Sequence, residues 1–350
     1  MIFLSDHTGH PNLFVRDIEN GQEKQLSNNT DGLLKSYVYF HGTPYRGLNK
    51  ASPCVHHESG TVYYIQDRQI YKVSTDSARQ VLAELPDGQM TAYTHVSFDG
   101  KFLCVPTVDE RALDGRKQLR GHPPYNIDER VRHEGLNSYL RIYDTESGKE
   151  ITTEVIPKAW VTHVQFSPTN SNLILYNNEW AFQSGIRRMW LWDGKRHTQL
   201  RDTKDGRSAD DWVCHEIWSQ DGQDIIYHGK YTNGLHFIGK ITPNTGATIE
   251  LSLPRGWYQY GHYNIDEAGT LVTDGHFRAQ YPKLTINCSW LCRVDVDWEN
   301  REMTWTPLTT HLSSWRSQDA HPHPIIDSAS KYVYFTSDRD GKLAIYRTCL

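Results

Sequence analysis

The 350-residue chain is poor in the features that mark several protein classes. Its six cysteines, at positions 54, 104, 214, 288, 292 and 349, are scattered and contain no CxxC pair. Such spacing gives neither a disulfide framework nor a thiolate metal knuckle, and it points to reduced thiols in a cytoplasmic protein. Basic charge is not in excess: 37 Lys and Arg face 42 Asp and Glu, for a formal net charge of −5. That balance gives no electrostatic footprint for nucleic acid or an anionic membrane. No apolar run is long enough to cross a bilayer, and the opening stretch MIFLSDHTGH has neither the basic segment nor the apolar core of a leader. A GxSxG elbow is missing too, which argues against a serine hydrolase. Hydrophobic residues make up only 37% of the chain, a low share for a helical core.

Aromatic residues, by contrast, are abundant: 11 Trp and 20 Tyr. Many short half-buried strands use such residues, and the chain repeats in that style. The segments SPCVHHESGTVYYI from Ser52, HVSFDGKFLCV from His95 and HVQFSPTNSNLILY from His163 share one pattern. HEIWSQDGQDIIYH from His215, HYNIDEAGTLVTDG from His262 and HPIIDSASKYVYFTSD from His323 continue it. Their starts lie 43, 68, 52, 47 and 61 residues apart, enough for four strands each. A second hairpin follows each start, as in YLRIYDTESGKEI and FIGKITPNTGATIEL, with the DG, SG and NTG turns of antiparallel ribbons. Repetition of four-stranded units at this period predicts an all-β, seven-bladed β-propeller forming one domain over residues 1–350. Residues 1–29 read as a blade without its innermost strand, and residues 321–350 as a blade without its outermost.

Five of the six visible blade starts are histidine: His95, His163, His215, His262 and His323. A histidine in that place can simply cap a strand and bond to the next blade. The run QDAHPHP is more specific. On a strand, His321 and His323 would project the same way, and a proline between them suits a strand entrance. Gln318 lies just before them, and His262 heads the inner strand of the preceding blade. Three imidazoles and an amide oxygen can thus meet at one divalent ion, with Mn²⁺ favoured by the mixed nitrogen and oxygen donors. Two loops are expected on the same side: the insertion at 109–137 and NNEWAFQSGIRR, which ends in Arg187 and Arg188. Basic loops above a metal suit an anionic, oxygen-rich ligand.

The segments RRMWLWD, CHEIWSQDG, GHYNIDEAGTLVTDG and QDAHPHPIIDSASKYVYFTSDRDG together resemble the oligogalacturonate lyase family, propeller enzymes of pectin breakdown. The resemblance runs blade by blade over nearly the whole chain. It implies a manganese site of His262, Gln318, His321 and His323, with His215 as catalytic base and Arg188 as the arginine that holds substrate. His163 is the second candidate for the base and a further substrate contact. The implied partner is an acidic oligosaccharide, cleaved by β-elimination to an unsaturated monouronate. The phrase before RMW differs from the family's usual acidic-glycine form, a change that bears on which uronic acid is accepted. Two other readings stay open: a metal-dependent enzyme for a different uronic-acid oligosaccharide, and a non-catalytic propeller that binds a ligand or peptide. Chelator-sensitive activity on an oligouronide separates the enzymes from the scaffold.

Overall fold

The structure, a computed structural model, describes residues 1–31, 33–34, 47–75, 78–113, 127–179, 187–201, 207–255, 261–275 and 290–350. The side chains of Leu33, Leu34, Leu113, Ile127, Asp128, Glu129 and Gln318 lie outside that description. Seven sheets follow one another along the chain, the blades of a seven-bladed β-propeller. The chain packs as two compact units: Met1–Ser184 with Trp190–Thr198, and Gly185–Met189 with Gln199–Leu350.

In the first unit, blade one has three strands, Ile2–Ser5, Asn12–Arg16 and Glu23–Gln25, as expected from its missing inner repeat. Blade two begins earlier than the repeat starting at Ser52: short strands Leu33–Leu34 and Leu48–Asn49 precede Cys54–His56, Thr61–Gln66, Gln69–Val73 and Gln80–Glu84. Blade three has an inner edge broken into Gln89–Thr91 and His95–Val96, both paired with Phe102–Asp109, then Ser138–Asp144 and Glu150–Ile156. The insertion at 109–137 falls between its second and third strands, as expected. It carries the α-helix Ile127–His133, the only α-helix among the described residues. Val131 and Leu136 bury against Met90, Ala92, Val108 and Trp160, so this end of the insertion is packed. Blade four runs Val164–Phe166, Ile174–Asn177, Met189–Trp192 and His197–Gln199.

The second unit holds blade five (Trp212–Trp218, Ile225–Lys230, His236–Thr242, Ala247–Ser252) and blade six (Tyr263–Ile265, Leu271–Thr273, Trp290–Asp297, Glu302–Thr310). Among the described residues blade seven has three strands, Ile325–Ile326, Tyr332–Ser337 and Ala344–Cys349. Strand periodicity explains the packing. Successive side chains point to opposite faces, and each face of blade six is covered by a neighbour. Leu271 therefore joins Ile226, Ile238 and Val294 toward blade five, while Val272 joins Ile326, Val333 and Phe335 toward blade seven. Each such side chain contributes about 1.5–3 kcal/mol on full burial. Turns between the inner two strands follow one plan. In SQDG of blade five, Gly222 takes φ 69° and donates its N–H to Ser219 O at 2.9 Å, a conformation that glycine adopts without steric cost.

Candidate metal centre and active site

The candidate metal cluster is built at the entrances of two inner strands in the second unit. His262 immediately precedes Tyr263–Ile265, and His321 and His323 precede Ile325–Ile326. One ring nitrogen from each of the three lies within 4.8 Å of the others. The ring centroids of His262 and His323 are 3.8 Å apart, and that of His321 is 5.6 Å from His262. The histidines meet as expected, but not through strand pleating. Neither His321 nor His323 is on the strand, and His323 has the left-handed φ of 45°. Local backbone strain, rather than i, i+2 alternation, turns the two rings together. Gln318 opens the 3-10 turn Gln318–Ala320, and its side chain lies outside the described residues.

Hydrogen bonds settle which nitrogens face inward. The Asp274 carboxylate is fully buried; Oδ1 accepts the His262 backbone N–H at 2.6 Å. Its Oδ2 lies 3.1 Å from His262 Nδ1 and 3.1 Å from the His323 backbone N–H. Burial pulls the Asp274 pKa up, but the facing His262, the hydrogen bonds and His323 outweigh it and bring the value down to about 2. An ionised carboxylate only accepts, so the His262 proton sits on Nδ1. His323 Nδ1 is likewise 3.1 Å from an obligate acceptor, the His321 carbonyl. Both rings therefore offer a bare Nε2. An oriented imidazole backed by a carboxylate or carbonyl is the usual arrangement behind metal-ligating histidine, and this donor set fits a divalent first-row ion. Trp315 packs against the His321 ring at 4.5 Å. Asp338 accepts from Ser314 N at 2.7 Å and so holds the turn that carries Trp315.

His215 adjoins this cluster, its ring centroid 4.5 Å from that of His262. Its place corrects the sequence expectation: it does not start a strand but lies inside Trp212–Trp218. The pairing register shifts between Cys214 and Ile217, and His215 takes φ 54°. The resulting bulge re-aims the side chain out of regular alternation. Its Nδ1 is 2.6 Å from the Gly261 carbonyl, which can only accept, so the proton belongs on Nδ1 and Nε2 is left as the basic nitrogen. Glycine is required at 261 because a Cβ there would overlap the Asp274 carboxylate. Burial, followed by the charges of His262, His228 and Arg188, lowers the His215 pKa well below its ordinary 6.5. Glu216, the other bulge residue, pairs with Arg188 at 2.8 Å, and both side chains are nearly buried, at 3% and 9% exposure.

No protein-family model matches the sequence. An oligogalacturonide lyase of Pectobacterium atrosepticum is 25% identical over 217 residues, which cover 56% of this chain and 52% of that protein. An oligogalacturonate lyase solved in complex with manganese superposes with a TM-score of 0.77 over 100% of this chain and 85% of its own, at 19% identity. An oligogalacturonate lyase from Vibrio parahaemolyticus gives 0.76 over 100% and 86%, at 21% identity. The chain is similar in sequence and in fold to oligogalacturonate lyases. The sequence match spans about half the length of the curated relative, at 52%, whereas the fold match to the lyases spans the whole chain.

The structure brings together His215, His262, His321 and His323, with Arg188 tied to the bulge beside His215. His163 belongs to the first unit and has a setting of its own. Its Nδ1 is 2.6 Å from Thr162 Oγ1 and 3.5 Å from Glu179 Oε2, and its ring stacks on Tyr93 at 4.5 Å. Asp274, Glu216, Gly261 and His228 escaped the sequence reading. A signal for Asp274 existed. Blade six pairs Tyr263 with Thr273, and extending that register by one residue places Asp274 opposite His262. Blade four obeys the same rule: Val164 pairs with Tyr176, and Asn177 Oδ1 accepts the His163 N–H at 2.9 Å.

Proposed function

We propose that this protein is a metal-dependent lyase that cleaves short oligogalacturonides by β-elimination. The observation that carries the reading is the bare Nε2 of His215 beside three convergent imidazoles, two of them with their Nδ1 protons committed to Asp274 and to a carbonyl. In this reading His262, His321 and His323, with Gln318 as the fourth ligand, hold the cation. When bound, a divalent ion, Mn²⁺ by analogy with the manganese complex of the structural relative, supplies positive charge that steadies a uronate carboxylate and acidifies the carbon next to it.

The remaining work falls to side chains. His215 Nε2 takes the proton from C5 of the uronate. The C–H electron pair becomes the C4–C5 double bond, the C4–O glycosidic bond breaks, and the departing oxygen takes a proton from solvent water and leaves as an alcohol. Because Gly261 O receives the Nδ1 proton, the imidazolium that forms keeps its hydrogen bond and its direction. Arg188, held by Glu216, fixes a neighbouring carboxylate and hence the register of the sugar. His163 is a further substrate contact. The free thiols among the described cysteines fit a reducing, cytoplasmic setting. Among the described residues no helix is long and apolar enough to cross a membrane.

The test is chelation followed by metal return on a di- or trigalacturonate. Cleavage should stop on chelation and resume with Mn²⁺, and His321→Ala should lower both metal content and turnover. Undiminished cleavage after complete metal removal would eliminate the metal from the reading.

A further inference from the structure

His228 lies directly behind the base. It is completely buried, and its ring is clamped edge-on by Trp212 and Tyr263, at centroid distances of 5.3 and 5.1 Å. Its Nε2 is 2.7 Å from His215 Nδ1 and 3.0 Å from the Gly261 carbonyl. Packing alone asks only for an apolar ring here, so the placement of a polar edge against the base needs an explanation.

Proton counting supplies one. The carbonyl, 2.6 Å from His215 Nδ1, has no proton to give, so Nδ1 carries it. His228 Nε2 also lies 3.0 Å from that carbonyl, but two N–H groups cannot face one another at 2.7 Å; one proton serves the triangle, and both its shorter legs, 2.6 and 2.7 Å, meet at His215 Nδ1, which leaves His228 Nε2 as the acceptor. His228 then bears its own proton on Nδ1, a buried atom with no hydrogen-bond partner among the described residues. A buried orphan donor is unfavourable, by about 1–3 kcal/mol. Such an arrangement persists where the surroundings enforce it, and unsatisfied buried groups of this kind cluster at functional positions. The consequence is a two-point acceptor, one imidazole nitrogen and one carbonyl, for the single Nδ1 proton of His215. That pair fixes the tautomer, restrains the ring on its left-handed backbone and steadies the imidazolium formed when Nε2 takes a proton.

We propose that His228 is a positioning residue for His215, holding the base by accepting its Nδ1 proton together with the Gly261 carbonyl. The catalytic half of this proposal rests on the lyase reading; the positioning half does not. The experiment therefore has two arms on the full-length protein. In the first, long-range ¹H–¹⁵N spectra of ¹⁵N-histidine protein, assigned with His215→Gln and His228→Gln, should show the Nδ1–H tautomer for both residues. His228→Phe should let His215 populate the Nε2–H form. In the second, His228→Phe should lower kcat by about 10–100-fold, the usual loss for a supporting partner, with KM and metal content near parental. His228→Gln, whose amide oxygen can accept the same proton, should recover most of the rate. An Nε2–H tautomer for His215 in the parent overturns the proposal, as does a parental kcat in His228→Phe. If the protein cleaves no uronide, the lyase reading fails, and the spectra alone still decide whether His228 positions His215.

Discussion

Replacing Asp274 by asparagine is the most informative single change to the cluster. The carboxylate takes three hydrogen bonds in a fully buried place: Oδ1 from His262 N, and Oδ2 from His262 Nδ1 and His323 N. An amide keeps one oxygen and replaces the other with an NH₂ group. If the NH₂ stands at the Oδ1 position, the His262 backbone N–H loses its acceptor. If it stands at the Oδ2 position, two N–H groups lose theirs, unless the His262 ring shifts its proton to Nε2, the atom needed for the metal. Every orientation thus leaves at least one donor orphaned, at about 1–3 kcal/mol each, in addition to the lost charge. Asp274→Asn should lower folding stability by that order. Loss of the partner behind a ligating histidine should weaken metal binding by about 10–100-fold, or roughly 1.4–2.7 kcal/mol. Denaturant titration reads the first effect, and Mn²⁺ binding to the chelated protein by calorimetry reads the second. Parental metal affinity in a folded Asp274→Asn protein would refute the claim that Asp274 orients His262 for the ion.

Other expectations concern the base, the arginine and acid stability. His215→Ala should reduce kcat by ~10²–10⁴-fold while the purified protein keeps its metal; parental turnover would place the base elsewhere, with His163 next in line. Because burial and neighbouring positive charges hold the His215 pKa well below 6.5, kcat/KM should stay level through the ordinary imidazole range and fall only at lower pH, and a half-point near 6.5 would contradict this. Arg188→Lys should keep the charge but not the planar two-point contact, raising KM and recovering only part of the rate; full recovery would assign Arg188 a purely electrostatic role. His228 is brought down mainly by burial to about 3, so the unfolded chain binds its proton near pH 6.5 while the folded protein does not. More protons on the unfolded side means stability rises with pH across that window. Unfolding free energies from urea titration should therefore drop as pH falls below 6.5, by about 1.4 kcal/mol per pH unit for this group, and His228→Phe should remove that share of the slope. Identical slopes in the two proteins would refute it.

The repeats in the sequence were enough for the fold, because each blade writes its own grammar: an inner strand, an SxDG-like turn, and apolar residues on both faces. QDAHPHP and the histidine at 262 likewise disclosed the metal candidates. What stayed hidden lies in backbone geometry. The repeat pattern starts a strand at His215, yet the strand begins at Trp212, and a bulge at His215 and Glu216 sends consecutive side chains toward His262 and to Arg188. The left-handed turn at His323 is equally silent in HPH, where strand alternation suggested the right neighbours for the wrong reason. Asp274 needed the hairpin register of blade six to be counted past its last pair. His228 needed both the register of blade five and its interruption, since Cys214 rather than His215 is its direct partner across the strands.

The central claim is elimination by a metal-loaded base site, and the masses of the products test it most directly. Digalacturonate or trigalacturonate incubated with the Mn²⁺-loaded protein should yield an unsaturated monouronate, or its keto tautomer, with a shortened saccharide, and the two masses should sum to that of the substrate. Products whose masses sum to substrate plus one water would show hydrolysis, and the account of His215 as a C5 base would be wrong.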